Sequence, residues 1–227
     1  PRPSIANWHG WSWAGGTNSF SLGSVPYGDF ATAGANGGAT TGVAPTATET
    51  GYYQLTTEAV ANQSAGIYSG FGSTPGAQIT LGILQDFQTR VMVFSTTTVR
   101  YWIGALLFSI PTPTGSNTLV LDNPTSAFVG FRFSTSAGDT HWQCVATTGS
   151  TQTTVATTVV PDTTGAGHVF EIQPSNAGAT LTYLIDGVVV GTITTNLPTN
   201  STGLRAISNV DATGTTNLRS IGQAYVY

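Results

Sequence analysis

The sequence predicts an all-β protein in which two antiparallel sheets pack face to face. From about Tyr52 onward, short runs rich in Val, Ile, Phe, Tyr and Thr alternate with clusters of Gly, Pro, Asn and Ser, which is the pattern of strands and turns. No part of the chain has the apolar period of a long helix. A chain of 227 residues suits one sandwich domain, because such domains often reach about 200–250 residues undivided.

Twelve runs are candidate strands, and their spacing is typical of a two-sheet sandwich. In chain order they are GYYQLTTEAV, AQITLGIL, RVMVFS, VRYWIGALLF, AFVGFRFS, HWQCVATT, TTVATTVV, HVFEIQP, LTYLID, VVVGTIT, GLRAISNV and NLRSIGQAYVY.

Alternating side chains predict which face of each strand is buried. Val129, Phe131 and Phe133 should share one buried face, with Gly130 and Arg132 on the opposite face. The same rule groups the apolar residues of two later strands, namely Phe170 with Ile172, and Leu181 with Tyr183 and Ile185.

Asp186 and Gly187 separate the runs LTYLI and VVVGTI. This pair tolerates the positive φ angles of a type I′ turn, so it predicts a tight hairpin.

The N-terminal region differs from the rest of the chain. Residues 31–48 contain several glycines and almost no large apolar side chain, so burial cannot offset the cost of ordering them. We predict a loop or arm there, and divide the chain into an extended N-terminal arm (residues 1–50) and a sandwich domain (residues 51–227). The first residues lack the charged and apolar segments of a signal peptide, and no run is long enough to span a bilayer.

The charge pattern excludes some classes of partner. Only 7% of the residues are charged, the net charge is −4, and all six basic residues are arginines. Scattered arginines cannot form a strong face for nucleic acid, so we expect no nucleic-acid partner and no membrane partner. The surface must rely on hydroxyl and amide groups, which suit packing against proteins or sugars.

Cys144 is the only cysteine. It cannot form an intrachain disulfide or a cysteine-rich zinc site, and we predict a small buried hydrophobe.

The run over residues 128–195 contains an aromatic GFRF strand, a THWQC strand after an AGD turn, an HVFEIQ strand, and a YLIDG hairpin followed by GTITTNLP. In these elements the chain resembles the laminin-G-like, concanavalin-like jelly rolls of bacteriophage virion proteins. The resemblance implies a jelly-roll sandwich with an extended N-terminal arm. It also implies a structural or receptor-facing role in a tail fibre, a tailspike or a capsid decoration protein, among which the fold does not decide.

A glycoside hydrolase on this fold would need two facing carboxylates. Glu49, Glu58 and Glu171 do not form the E-x-D-x-x-E pattern of the related glucanases, and Glu171 should face solvent. An acidic pair would have to come from distant segments, through residues such as Asp86, Asp122 or Glu58. We therefore expect no catalytic residues and no enzyme.

The histidines do not indicate a metal site. Asp139 and His141 belong to a GDTH turn without a second ligand at a suitable spacing, so Asp139 should cap the turn. His9 and His168 are isolated. We expect no metal site, no cofactor and no Ser-His-Asp triad.

Aromatic side chains are the candidate contact residues. They are Trp8, Trp11, Trp13, Tyr53 and Trp102. Such side chains can stack on sugar rings, pack against a neighbouring subunit or cover the end of their own sandwich. We favour packing between subunits over sugar binding.

These patterns lead to one main hypothesis and two alternatives. The main hypothesis is a non-enzymatic structural protein on the exterior of a phage virion, serving in capsid decoration or as a fibre or tail component. Its partners would be other virion proteins and copies of itself in a homo-oligomer, for which a trimer is one option. The first alternative is a carbohydrate-binding, lectin-like module that recognises a host surface glycan. The second is a polysaccharide-degrading enzyme.

Overall fold

The computed structural model describes residues 30–34, 40–43, 52–57, 59, 61, 64–69, 80–82, 86–107, 121–199 and 203–226. Within them the chain forms fourteen strands. These are β1 (Phe30–Gly34), β2 (Thr40–Val43), β3 (Tyr52–Thr56), β4 (Ser64–Ser69), β5 (Phe87–Val93), β6 (Val99–Leu106), β7 (Ala127–Ser134), β8 (Gln143–Thr148), β9 (Gln152–Ala156), β10 (His168–Ser175), β11 (Thr180–Ile185), β12 (Val188–Ile193), β13 (Arg205–Ala212) and β14 (Ser220–Val226). No helix among the described residues is long and apolar enough to cross a membrane.

The strands form two seven-stranded sheets. The front sheet has the order β1-β4-β13-β6-β7-β8-β9, and the back sheet has the order β12-β11-β10-β5-β14-β3-β2. Neighbouring strands in both sheets are antiparallel. The predicted two-sheet antiparallel jelly-roll sandwich is confirmed.

The core lies between the sheets and is aromatic at its centre. The ring of Phe131 in the front sheet lies with its centroid 4.9 Å from Phe170 and 5.3 Å from Tyr183 in the back sheet. Trp142 adds an edge-to-face contact with Phe170 at 4.8 Å. The hydroxyl of Tyr183 donates to the backbone oxygen of Val145 at 2.8 Å, which ties the two sheets together. The predicted buried faces are confirmed.

The hairpin at Asp186 and Gly187 is also confirmed. Their φ angles are 54° and 78°, as a type I′ turn requires. The carboxylate of Asp186 accepts a hydrogen bond from the backbone NH of Val169 at 2.8 Å, and its second oxygen lies 2.7 Å from Nδ1 of His168. The turn is thereby joined to the start of β10.

Three segments differ from the prediction. Residues 80–82 of the run AQITLGIL form a turn with Leu81 buried, not a strand. The stretch over residues 31–48, predicted as a loop or arm, contributes β1, which pairs with β4, and β2, which pairs with β3. Strand pairing joins backbone groups, so a strand needs no large side chains of its own. The boundary near residue 50 stays a prediction.

Candidate functional site

The outer face of the front sheet, which is the side turned away from the back sheet, collects the charged residues of the strands β6, β7 and β13. On β6, Tyr101 and Ile103 point into the core, so Arg100 and Trp102 point outward. Pairing of β6 with β7 sets Trp102 opposite Arg132, and pairing with β13 sets Arg100 opposite Asp211.

One half of the outer face is apolar. It consists of Trp102, Leu106, Phe128, Val145 and Ile207, all of which are buried. Trp102 and Phe128 meet edge to face with ring centroids 4.9 Å apart.

The other half is a charged cluster centred on Arg100. The guanidinium of Arg100 donates from Nε to Oδ1 of Asp122 at 2.7 Å and from Nη1 to Oδ2 of Asp211 at 2.6 Å. Its third nitrogen donates to the hydroxyl of Ser136 at 2.7 Å. Asp211 comes from β13 and Asp122 from the segment before β7, so Arg100 joins two carboxylates that are distant in sequence.

Arg132 occupies the adjacent position on β7. It forms a two-pronged ion pair with Asp139 at 2.9 and 3.1 Å and donates to the backbone oxygen of Asp122 at 2.7 Å. Its guanidinium carbon lies 5.8 Å from the ring centroid of Trp102, within the range of a cation–π contact. Asp139 also accepts from the backbone NH of Ser134 at 2.9 Å, which confirms its predicted turn-capping role.

The two carboxylates on Arg100 have opposite electrostatic environments. Burial would raise the pKa of Asp122, but hydrogen bonds from Arg100 and Ser134 and the charge of Arg100 lower its pKa below the ordinary value. Burial raises the pKa of Asp211 to about 7, against the lowering effect of Arg100 and with the help of the negative Asp122. Asp122 has 34% of its side chain exposed, and Asp211 has 1%. One carboxylate is therefore ionised and accessible, while the other readily holds a proton.

The predicted contact residues are only partly within the described chain. Trp8, Trp11 and Trp13 lie outside the described residues. Tyr53 lies on β3, where the structure describes its backbone but not its side chain. Trp102 faces outward, yet its side chain is fully buried, so a ligand would reach it only after the side chains over it move.

Of the three predicted acidic candidates, only Asp122 is found in the charged cluster among the described residues. Asp122 joins the Arg100 cluster, Asp86 lies exposed before β5, and Glu58 is outside the described residues. Asp211 was not among the predicted candidates. It lies two residues after Asn209 in a β-rich run, and this spacing could have placed both side chains on one face of a strand. Glu171 faces away from the core, as predicted, and is half-buried. Its carboxylate accepts hydrogen bonds from Gln88 at 3.3 Å and from Gln173.

Two further predictions concern the remaining reactive groups. Cys144 is fully buried, as predicted. The predicted isolation of His168 was wrong, since it pairs with Asp186. Among the described residues, no group of three or more His, Cys, Asp or Glu side chains could hold a metal ion.

No protein-family model matches the chain, and no curated protein sequence matches it. Several solved structures do. A glycoside hydrolase family 16 endo-glucanase from Bacteroides ovatus is similar with a TM-score of 0.55 at 12% identity, over 83% of this chain and 84% of that chain. The laminarinase catalytic domain of Thermotoga maritima has a TM-score of 0.53 at 16% identity, over 78% and 77% of the two chains. The β-glucanase of Bacillus licheniformis has a TM-score of 0.52 at 13% identity over the same shares.

These neighbours contradict the prediction of a non-enzymatic virion structural protein, because they are glucanases and a laminarinase. The prediction that excluded an enzyme was wrong for a physical reason. The missing E-x-D-x-x-E pattern excludes only carboxylates on one strand, whereas the fold brings Asp122 and Asp211 together from distant segments. At identities of 12–16% the likeness itself shows the fold alone. The chain has the concanavalin-like jelly-roll sandwich of the family 16 glycoside hydrolases.

Proposed function

We propose that this chain is a carbohydrate-active enzyme that cleaves glycosidic bonds in a polysaccharide, with the outer face of the front sheet as its substrate face. The observation that carries the proposal is the pair of carboxylates on Arg100, of which Asp122 has a lowered pKa and Asp211 a raised one. Carboxylates whose pKa values are driven apart are the usual acid and base of glycoside hydrolysis. The names of the structural neighbours, which include endo-1,3-β-glucanase and mixed-linkage glucan, suggest a β-glucan as the substrate class.

Asp211 would be the general acid. Its Oδ2 is held by Arg100, while its Oδ1 is buried without a hydrogen-bond partner. A proton on Oδ1 is therefore free to pass to the glycosidic oxygen as the bond from that oxygen to the anomeric carbon breaks.

Asp122 would be the base. In its ionised form it takes a proton from a water molecule, whose oxygen then forms the new bond to the anomeric carbon. A single guanidinium bridges the two carboxylates, so they are closer than the about 9.5 Å that limits such pairs in inverting glycosidases. Arg100 acts as a positioning residue.

Burial of Asp211 places a condition on this mechanism. With 1% of its side chain exposed, the acid can reach a glycosidic oxygen only if the side chains over it move aside when the glycan binds. Asp122, which is the more exposed partner, would meet the substrate first.

The test measures the release of reducing ends from laminarin and from mixed-linkage β-glucan. The wild type should release them, and Asp211→Asn and Asp122→Asn should each lower kcat by about 100-fold or more. Asp162→Asn is the matched control, because Asp162 lies in the loop between β9 and β10, where its carboxylate bonds the NH of Thr164. Circular dichroism checks that every variant folds. A wild type inactive on both glucans, or variants as active as the wild type, would overturn the proposal.

Glycan recognition is the second candidate function. It is favoured by the neighbouring Trp102, Arg132 and Ser134 on the outer face, because such sites combine an aromatic ring with a few polar groups. Retention on immobilised β-glucan without release of reducing ends would support recognition over cleavage. Self-association and a location on a virion exterior stay predictions, which light scattering of the purified protein and its detection on particles would test.

A further inference from the structure

Three polar residues form a row on the outer face beside Arg100. Ser64 lies on β4, and Asn209 and Asp211 lie two residues apart on β13. The register sets Asp211 opposite Ser64 and Asn209 opposite Gly66. All three polar side chains are 1% exposed. They form a continuous polar strip next to the acidic pair.

Each member of this polar row has buried atoms without a hydrogen-bond partner. They are Oγ of Ser64, both Oδ1 and Nδ2 of Asn209, and Oδ1 of Asp211. Leaving a buried polar group unpaired is costly, and native proteins leave few such groups. By contrast, every guanidinium nitrogen of the nearby Arg100 and Arg132 is bonded. Four of the eight buried side-chain atoms without a hydrogen-bond partner among the described residues lie in this row.

The chemistry of the unpaired atoms selects the class of ligand. The row offers an amide donor, an amide acceptor, a hydroxyl that does both and a carboxyl oxygen. An anion would be repelled by the ionised carboxylate of Asp122. A cation would be repelled by the guanidinium of Arg100, 2.6 Å from Asp211, and would leave the Nδ2 donor of Asn209 unpaired. Neutral hydroxyl groups, which both donate and accept, match the set.

The neighbours of Asn209 keep its amide in place. A Cβ at Gly66 would lie 2.8 Å from Oδ1 of Asn209 and 3.1 Å from the backbone oxygen of Ser208. Glycine at this position therefore leaves room for the amide. On the other side of Asn209, the register sets Trp102 opposite it, so an aromatic ring and an amide stand next to each other, a combination suited to a sugar ring.

We propose that Ser64 and Asn209, which lie beside Oδ1 of Asp211, form a subsite that binds the hydroxyl groups of one sugar residue of the glycan. This inference rests on the proposed function, and it places the bound sugar next to the carboxylate that would protonate the glycosidic oxygen.

The test compares Asn209→Leu and Ser64→Ala with the wild type. Leucine has a similar volume and no polar atoms, so Asn209→Leu should melt at the same or a higher temperature. It should nevertheless raise KM for a laminarin oligosaccharide at least 10-fold, with kcat changed less than threefold. Ser208→Ala is the matched control for Ser64→Ala, because the hydroxyl of Ser208 is also buried and unpaired but lies on the core side of the same sheet. Only Ser64→Ala should raise KM.

The outcomes separate the two proposals. If the wild type cleaves β-glucan and Asn209→Leu keeps its KM, the subsite is overturned and the enzymatic function stands. If the wild type binds the oligosaccharide in calorimetry without cleaving it, and Asn209→Leu loses that binding, the subsite stands and hydrolysis is overturned. A wild type that neither binds nor cleaves overturns both.

Discussion

Nη1 of Arg100 lies 2.6 Å from Oδ2 of Asp211, directly across the pairing of β6 with β13, and both side chains are almost completely buried. Removing the cation would leave a buried carboxylate without its charge partner. We expect Arg100→Met to lower the free energy of unfolding by about 3–5 kcal/mol, as for other buried ion pairs that lose one member. Urea denaturation measures the free energy of unfolding of both proteins. Adding Asp211→Leu should restore most of the loss, and a double variant no more stable than the single one would contradict the account.

The raised pKa of Asp211 makes stability depend on pH. Between pH 3.8, the ordinary pKa of an aspartate, and about pH 7, the folded protein binds more protons at this residue than the unfolded chain does. This contribution to stability is therefore complete below about pH 4 and is lost as the pH rises towards 7. Since one pKa unit corresponds to about 1.4 kcal/mol, the loss should be on the order of a few kcal/mol.

Asp211→Asn provides the comparison, because asparagine does not titrate. Denaturation of both proteins across this pH window should show that the wild type loses stability relative to the variant. The lowered pKa of Asp122 acts in the opposite sense and below this window, since its contribution is lost as the pH falls. If the difference in unfolding free energy between the two proteins stays constant with pH, the pKa of Asp211 is not raised.

Gly130 has no space for a side chain. A Cβ there would lie 2.2 Å from the backbone oxygen of Ile103 and 2.5 Å from the ring of Phe128. Gly130→Ala should therefore cost about 3 kcal/mol, because the sheet or the ring must shift. Gly187→Ala is the control, since Gly187 has a positive φ but no atom within 4 Å, and should cost about 1 kcal/mol. Equal melting temperatures for the two variants would contradict the steric explanation.

Cys144 should be unreactive in the folded protein. Its side chain is fully buried, and burial raises the pKa of its thiol to about 12. Only the thiolate attacks disulfide reagents, so the reaction with Ellman's reagent should wait for unfolding. The rate of thiol modification should be low in native buffer and should rise steeply once added guanidinium chloride unfolds the protein. A folded protein that reacts as fast as the unfolded chain would show that the thiol is accessible.

Alternation and turn chemistry were enough to predict much of the fold. The Asp186–Gly187 turn and the inward-facing Phe131, Phe170 and Tyr183 follow from local rules. The strand β4 could not be found in this way, because its sequence SAGIYS has few of the residues that mark strands. Its place in the front sheet depends on pairing with β13, which is a contact between distant segments.

The candidate site was harder to predict than the fold. Asp139 could be assigned a capping role from the GDTH turn, but its ion pair with Arg132 depends on how β7 is positioned. Likewise, no spacing rule joins Asp122 to Asp211, since they meet only at Arg100. Carboxylates on a single strand leave a motif in the sequence, whereas carboxylates gathered by an arginine from separate segments do not.

The burial of the arginines has a consequence for proteolysis. The chain contains no lysine, and proline follows Arg2, so trypsin can cleave only after the other five arginines. Three of them, Arg100, Arg132 and Arg219, are 5%, 7% and 8% exposed, and their guanidinium groups are bonded within the fold. A protease cannot bind these side chains until the segments that carry them separate from the fold. The rate of tryptic cleavage after Arg100 or Arg132 therefore reports how often the front sheet opens.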